Sequence, residues 1–179
     1  MTARTVLDAS DIDRAITRIS HEIVESNQGV SELLLLGIPT RGVFLANKIA
    51  ISISKNYPQF DETISVGKLD VTLFRDDLAE RPKKEVSPTL IPVANFEDKT
   101  VVLVDDVLFT GRTIRAALDA LVSYGRPKAV RLAVLVDRGH REFPIRADFV
   151  GKNLPTSSRE RIYVKLNETD SEQCVVIEQ

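Results

Sequence analysis

One cysteine, Cys174, is all that 179 residues contain. A lone thiol excludes an intramolecular disulfide and any cysteine-built metal cage, and such usage points to a reducing cytoplasm. Cys174 sits in an apolar run, so a packed thiol is expected there and not a nucleophile. The two histidines give no basis for a Ser/His/Asp triad. No apolar run approaches the ~20 residues that span a bilayer, and the opening residues, MTARTVLDASD, hold no apolar signal core. No membrane partner is expected. The patterns G-x-x-x-x-G-K-[ST] and G-x-G-x-x-G are both missing, which removes the two commonest nucleotide-binding designs. A basic excess is missing as well: the formal net charge is −2, which argues against strong nonspecific binding of nucleic acid. Internal repeats and low-complexity segments are absent.

What is present is ordinary in bulk, with 43% hydrophobic and 28% charged residues. Such a chain fits one domain, residues 1–179, with a sizeable core. The stretch Val101 to Thr113, VVLVDDVLFTGRT, is far from ordinary. Val101, Val102, Leu103 and Val104 read as a buried parallel strand that Asp105 and Asp106 close. Val107, Leu108 and Phe109 lead into the small-residue loop Thr110-Gly111-Arg112-Thr113. A helix follows, with Ile114, Ala117, Leu118, Leu121 and Val122 on its apolar face. A strand end, a small-residue loop and a helix start make an anion cradle, because the first helical N–H groups lack internal partners. Thr110 and Thr113 add hydroxyls, and Gly111 is expected to let the backbone approach the anion closely. The paired acids repel that same anion. They suit the hydroxyls of an attached sugar or a divalent cation, so the run reads as a ribose 5-phosphate site. Acids at a strand end alone also occur in receiver domains and haloacid-dehalogenase-like folds; the full run is the specific part.

Elsewhere the chain alternates strand and helix. Asp8 or Ser10 caps a first helix to about Asn27, with Ile12, Ile16, Ile19 and Ile23 inward and Arg14, Thr17, Arg18 and His21 outward. Leu33 to Leu36 form a buried strand ending in a second small-residue loop, Gly37-Ile38-Pro39-Thr40-Arg41-Gly42. The helix after it carries Val43, Ala46, Ile49, Ala50 and Ile53. Leu69, Val71 and Leu73 alternate with polar residues as in a half-buried strand. The charged, proline-bearing segment 75–92 follows, a functional loop in preference to a linker. Ala129 to Val136 is a buried strand ending in Asp137-Arg138-Gly139-His140, and extended segments fall near Ile145 to Val150, Ile162 to Leu166 and Cys174 to Ile177. The order indicates an α/β fold with a mostly parallel sheet flanked by helices. Two strand-end loops then face one crevice at the carboxyl ends of the strands. From Arg126 to Lys165 ten basic residues stand against four acids, a local excess of +6. That suits the phosphates of a small substrate or of a polynucleotide, or else a solvated surface balanced by the acidic tail.

Val101 to Thr113 resembles the phosphoribosyl-pyrophosphate (PRPP) motif of type I phosphoribosyltransferases. Together with TRISHEIVE (Thr17 to Glu25), GIPTRGV (Gly37 to Val43), TLFRDDL (Thr72 to Leu78) and LVSYGRPKAVRLAVLVDRGHREFPIRADFVGKNLPTS (Leu121 to Ser157), it resembles the PyrR family. Those proteins are bifunctional pyrimidine-operon regulators and uracil phosphoribosyltransferases. The resemblance runs along nearly the whole chain, and DRGHREFPIRADFVGKN is its most specific part. It implies a type I phosphoribosyltransferase fold with a small hood built from both chain ends. The implied reaction is uracil + PRPP to UMP + diphosphate, with Mg²⁺ held mainly by PRPP and no direct protein metal site.

By the same resemblance Asp105 and Asp106 hold ribose hydroxyls and Thr110 to Thr113 hold the 5-phosphate. Thr40 and Arg41 receive diphosphate, with Asp105, Asp106 and Arg41 the catalytic group. Arg75, Asp76 and Asp77 begin a flexible lid (about 75–92), and Arg138 lies on the base or nucleotide side. Thr17, Arg18, His21, Arg141, Arg146 and Lys152 match RNA-contact positions for pyrimidine-operon leader mRNA, bound in response to UMP or UTP. A homodimer or higher homo-oligomer is implied too. Phe109 and Phe74 stand where relatives often carry Tyr, and Ser26 where one has Arg. The competing functions are a nucleotide-sensing RNA-binding regulator with vestigial transferase activity and a purine salvage phosphoribosyltransferase.

Overall fold

The computed structural model describes residues 3–76, 88–157 and 159–179. Five parallel strands form the central sheet: β2 (Leu33–Gly37), β3 (Val66–Lys68), β4 (Thr100–Leu108), β5 (Ala129–Asp137) and β6 (Phe149–Asn153), in the order β3-β2-β4-β5-β6. Alternation along the strands divides the core into two layers. Leu33, Leu35, Val102, Val104, Ala133 and Leu135 face α1 (Ala9–Ser26) and α2 (Arg41–Asn56). Leu34, Leu36, Val101, Leu103, Leu132 and Val134 face α4 (Arg112–Val122). A separate antiparallel sheet, ordered β1-β8-β7, joins β1 (Ala3–Leu7) to β7 (Arg161–Lys165) and β8 (Cys174–Glu178). This is the expected hood of chain ends, although β1 itself was not anticipated; it is short and mostly exposed, so it lacks a core pattern.

α1 begins at Asp8, not Ser10. The Asp8 carboxylate accepts the Asp11 N–H (2.8 Å) and Asp11 returns the bond to the Asp8 N–H (3.1 Å), a reciprocal capping box. Its inward isoleucines are buried as expected.

Several boundaries move. The strand expected through Leu69, Val71 and Leu73 is absent: β3 ends at Lys68 and Thr72–Phe74 is a 3₁₀ turn. The Asp70 carboxylate accepts the Thr72 N–H at 2.7 Å, which bends the chain and leaves Leu73 70% exposed. β4 does not close at the acid pair. It runs to Leu108, because the equally long β5 continues the ladder, pairing Asp105 with Val134 and Val107 with Val136. On α4, Leu118 and Val122 are exposed, while Ala116, Ala117 and Ala120 join Ile114 and Leu121 in the core. The extended segment expected at Ile145 to Val150 becomes strand only from Phe149. Before it, the Asp148 N–H donates to the Leu132 carbonyl and the Asp148 carboxylate accepts the Leu132 N–H (both 2.9 Å), which sets the entry into β6. A short helix α3 (Glu62–Ser65) precedes β3, and another, α5 (Asn167–Asp170), links β7 to β8.

Candidate functional site

The carboxyl ends of β2, β4 and β5 lie side by side, and most candidate groups of the crevice lie on these strand ends or the loops that follow them. The Ile38 N–H donates to the Val104 carbonyl (2.9 Å), so the Gly37–Arg41 loop leans over the end of β4. Gly42 is required for this: a Cβ there would lie 2.3 Å from the Val104 carbonyl oxygen. α2 therefore starts against the acid-bearing end of β4. The Pro39–Thr40 peptide in this loop is cis.

Both helices that begin at the crevice lack a side-chain cap at their N-cap residue, Thr40 for α2 and Gly111 for α4. Both also begin with an arginine, Arg41 and Arg112. Uncapped N–H groups and a cation at the positive end of the helix dipole are mutually unfavourable unless an anion joins them. Carboxylates meet that need within the chain. Arg41 is paired with Asp170 of α5 (2.7 Å), and Arg112 with Asp76 (2.6 Å) and Glu142 (2.7 Å). Two helix starts with this electrostatic character are suited to phosphate groups.

At the end of β4, Asp105 is buried and Asp106 half-buried. Asp105 Oδ1 accepts the Asp106 N–H (3.0 Å), and Asp106 Oδ1 accepts the Val107 N–H (2.9 Å), which orients both carboxylates on the strand. In the cradle, Thr110 Oγ1 accepts the Arg112 N–H at 3.4 Å, and Thr113 Oγ1 accepts from Arg75 (2.8 Å). Arg75 and Asp76, the start of the expected lid, are thus both tied to the start of α4. Asp77 and most of the lid lie outside the described residues.

At Gly111 the φ of +93° calls for glycine, and a Cβ would point at Phe143 (3.2 Å) and Ile145. The residue lets the loop turn above the 139–146 segment, whose Glu142 and Phe143 N–H groups bond the Thr110 carbonyl (2.9 and 3.0 Å).

Arg138, at the end of β5, is buried, and its guanidinium stacks 4.1 Å over the Phe109 ring. It donates to the carbonyls of Ser157 (3.3 Å) and Glu160 (2.9 Å), while its Nε and the Thr156 hydroxyl lack partners among the described residues. Burial pulls Arg138 below the ordinary guanidinium range. His140 Nε2 lies 2.5 Å from the Thr156 carbonyl, which requires a proton on that nitrogen. Phe109, Arg138, His140 and the segment 154–157 thus form one unit beneath the hood. Only Phe109 and Arg138 were expected in the site from sequence.

The residues expected to meet RNA divide. Thr17, Arg18 and His21 are exposed on α1 and line a shallow groove with Asp13, Arg14, Glu22 and Glu25. Arg18 reaches the edge strand, donating to the carbonyls of Val150 (3.2 Å) and Gly151 (2.6 Å), which places it beside exposed Lys152. Arg146 is exposed in the turn leading into β6. Arg141 is held internally: it pairs with Asp137 and donates to the carbonyls of Phe109 (2.8 Å) and Ile145 (2.8 Å). Its position clamps the loop after β5.

Among the described residues no three His, Cys, Asp or Glu side chains converge as a metal cage, and no helix is long and apolar enough to cross a membrane. The phosphoribosyl transferase domain family matches residues 3–166. The chain is 60% identical to the bifunctional protein PyrR of Leifsonia xyli subsp. xyli, over 100% of this chain and 98% of that one. It is 56% identical to the protein of that name from Streptomyces coelicolor, over 98% and 89%. Among solved structures it is similar to a hypoxanthine phosphoribosyltransferase of Staphylococcus aureus, with a TM-score of 0.70 at 19% identity over 97% and 90% of the two chains. A hypoxanthine-guanine phosphoribosyltransferase of Bacillus anthracis gives a TM-score of 0.70 at 15% identity over 99% of each. At such identities the structural likeness shows the fold alone. The fold is that of type I phosphoribosyltransferases, and the chain belongs to the PyrR family of bifunctional proteins.

Proposed function

We propose that this protein is a uracil phosphoribosyltransferase, converting uracil and PRPP to UMP and diphosphate, and that it also regulates pyrimidine biosynthetic genes by UMP- or UTP-dependent binding to leader mRNA. The observation that carries the reading is whole-length identity of 60% to a protein named for two functions, on a chain whose paired acids and arginine-led helix starts lie at the ends of adjacent parallel strands. The structural neighbours act on purines by name, but their 15–19% identity leaves the base undecided, and the PyrR relationship favours uracil.

Each group has a defined task in this reading. The start of α4, with Thr110 and Thr113, binds the 5-phosphate of PRPP through N–H and hydroxyl donors. Asp105 and Asp106 accept hydrogen bonds from the ribose hydroxyls and stabilise the positive charge that grows on the sugar as its C1–O bond breaks. Thr40 and Arg41 receive the departing diphosphate. Phe109 and Arg138 border the base. Arg75 and Asp76, held at the start of α4, border the sugar and help keep water from the electrophilic carbon.

Mg²⁺ fits as a companion of PRPP. The crevice offers two adjacent carboxylates and no closed cage among the described residues, a donor set for an octahedral cation that keeps most of its oxygens from phosphates and water. When bound, it neutralises diphosphate charge and so improves the leaving group. For the regulatory half, Thr17, Arg18, His21, Arg146 and Lys152, all exposed, are the contacts proposed for RNA, while Arg141, paired with Asp137, supports the loop after β5.

Two assays test the reading. UMP formation from uracil and PRPP with Mg²⁺ is expected, as is a UMP-strengthened shift of pyrimidine-operon leader RNA on native gels. Absence of UMP formation contradicts the enzyme, and an unshifted RNA with UMP present contradicts the regulator.

A further inference from the structure

Asp170 is far from every motif in the sequence, yet it holds the arginine assigned to diphosphate. Arg41 Nε donates to Asp170 Oδ2 (3.2 Å), and Nη2 donates to both carboxylate oxygens (2.7 and 3.0 Å). Arg41 Nη1 has no partner among the described residues. The carboxylate is fixed from the other side by the hood. Its Oδ2 also accepts the Leu166 N–H (3.1 Å) and the Thr169 hydroxyl (2.5 Å). These donors, led by the Thr169 hydroxyl and joined by Arg41, hold the Asp170 carboxyl down at about 2. A second tie runs in parallel, from Lys48 on α2 to Glu168 on α5 (2.9 Å).

We infer that Asp170 is a positioning residue for phosphoribosyl transfer: it takes the side edge of the Arg41 guanidinium and thereby fixes the remaining edge for the diphosphate of PRPP. This rests on the reading that Arg41 receives diphosphate. A guanidinium has five donors in one plane, so a carboxylate on one edge leaves another for phosphate. An arginine already held in one rotamer loses less freedom when its ligand arrives. A carboxylate that merely stood in for diphosphate would take the terminal Nη1–Nη2 edge; Asp170 takes the Nε–Nη2 edge instead. The inference also links the hood to the diphosphate loop through one residue.

Steady-state kinetics on the full chain test it. Asp170→Ala is expected to raise the KM for PRPP and the inhibition constant for diphosphate together, by roughly tenfold, with the KM for uracil unchanged. Asp170→Asn, which keeps one acceptor for Arg41, recovers part of the loss and carries the test if the alanine variant fails to fold. Glu168→Gln breaks the parallel tie without touching Arg41 and leaves the KM for PRPP at the wild-type value. A KM for PRPP that stays constant or falls in both Asp170 variants overturns the inference. An equal rise in Glu168→Gln also overturns it, by assigning the effect to hood attachment in general. Arg41→Gln separates the two claims: no change in its KM for PRPP defeats the diphosphate reading itself, whereas a rise there without one in the Asp170 variants defeats only the role of Asp170.

Discussion

Asp105 and Asp106 owe their orientation to backbone N–H groups of the residues that follow them, and an asparagine oxygen can accept those same bonds. The double variant Asp105→Asn, Asp106→Asn is therefore expected to fold and to lose turnover. Each lost charged hydrogen bond to the sugar costs roughly 1.5–3 kcal/mol. Initial rates of UMP formation alongside a thermal melt check both halves; a folded variant with near-wild-type turnover contradicts the assignment. Gly111→Ala should behave in the opposite way. A side chain at φ +93° that also crowds Phe143 should destabilise the protein by about 1–3 kcal/mol, read from urea denaturation. The acids and the loop were legible because strand, loop and helix start are contiguous in sequence. The direction of the Gly111 Cβ was not, because Phe143 and Ile145 come from a segment more than thirty residues later. Asp170 left no sequence trace either: its partner Arg41 is 129 residues away.

An amphipathic helix such as α1 and a strand apolar on both faces such as β2 could be read almost to the residue. Elements whose ends are decided by a single polar side chain could not. Asp70 turns the chain after β3 against the alternation of Leu69, Val71 and Leu73, and pairing with β5 carries β4 past the acids expected to close it. The attachment of α5 to α2 supplies an acid-sensitive joint. Asp170 has a carboxyl pKa of about 2 against an ordinary 3.8, so its contribution to stability is complete above pH 3.8 and fades as pH falls toward 2. Urea midpoints for the wild type should therefore drop more between pH 5 and pH 3 than those of Asp170→Asn; equal drops would remove Asp170 from the acid response. On the same face of the sheet, Arg18 couples α1 to the edge strand β6. Arg18→Gln is expected to weaken both leader-RNA binding and urea resistance, whereas Lys152→Gln on the same edge should weaken RNA binding alone. Gel shifts at several salt concentrations should show a slope lower by about one unit or less for Lys152→Gln. An unchanged slope would take Lys152 out of the RNA surface.

At the scale of the molecule, one parallel sheet serves two surfaces. Its strand ends carry the paired acids and the two arginine-led helix starts proposed to meet PRPP, and its β6 edge together with α1 carries Arg18, His21 and Lys152, proposed to meet RNA. Nucleotide control of RNA binding requires that UMP favour the RNA-binding state of the protein, and by linkage RNA must then tighten UMP binding by the same factor. The Arg138 unit joins the end of β5 to segment 154–157. The central claim is transfer to a pyrimidine on a fold shared with purine transferases. It is tested most directly by incubating the full chain with PRPP and Mg²⁺ and comparing uracil, hypoxanthine and guanine as acceptors under one set of conditions. Formation of UMP with no comparable IMP or GMP is the predicted result, and formation of IMP or GMP in preference to UMP would contradict it.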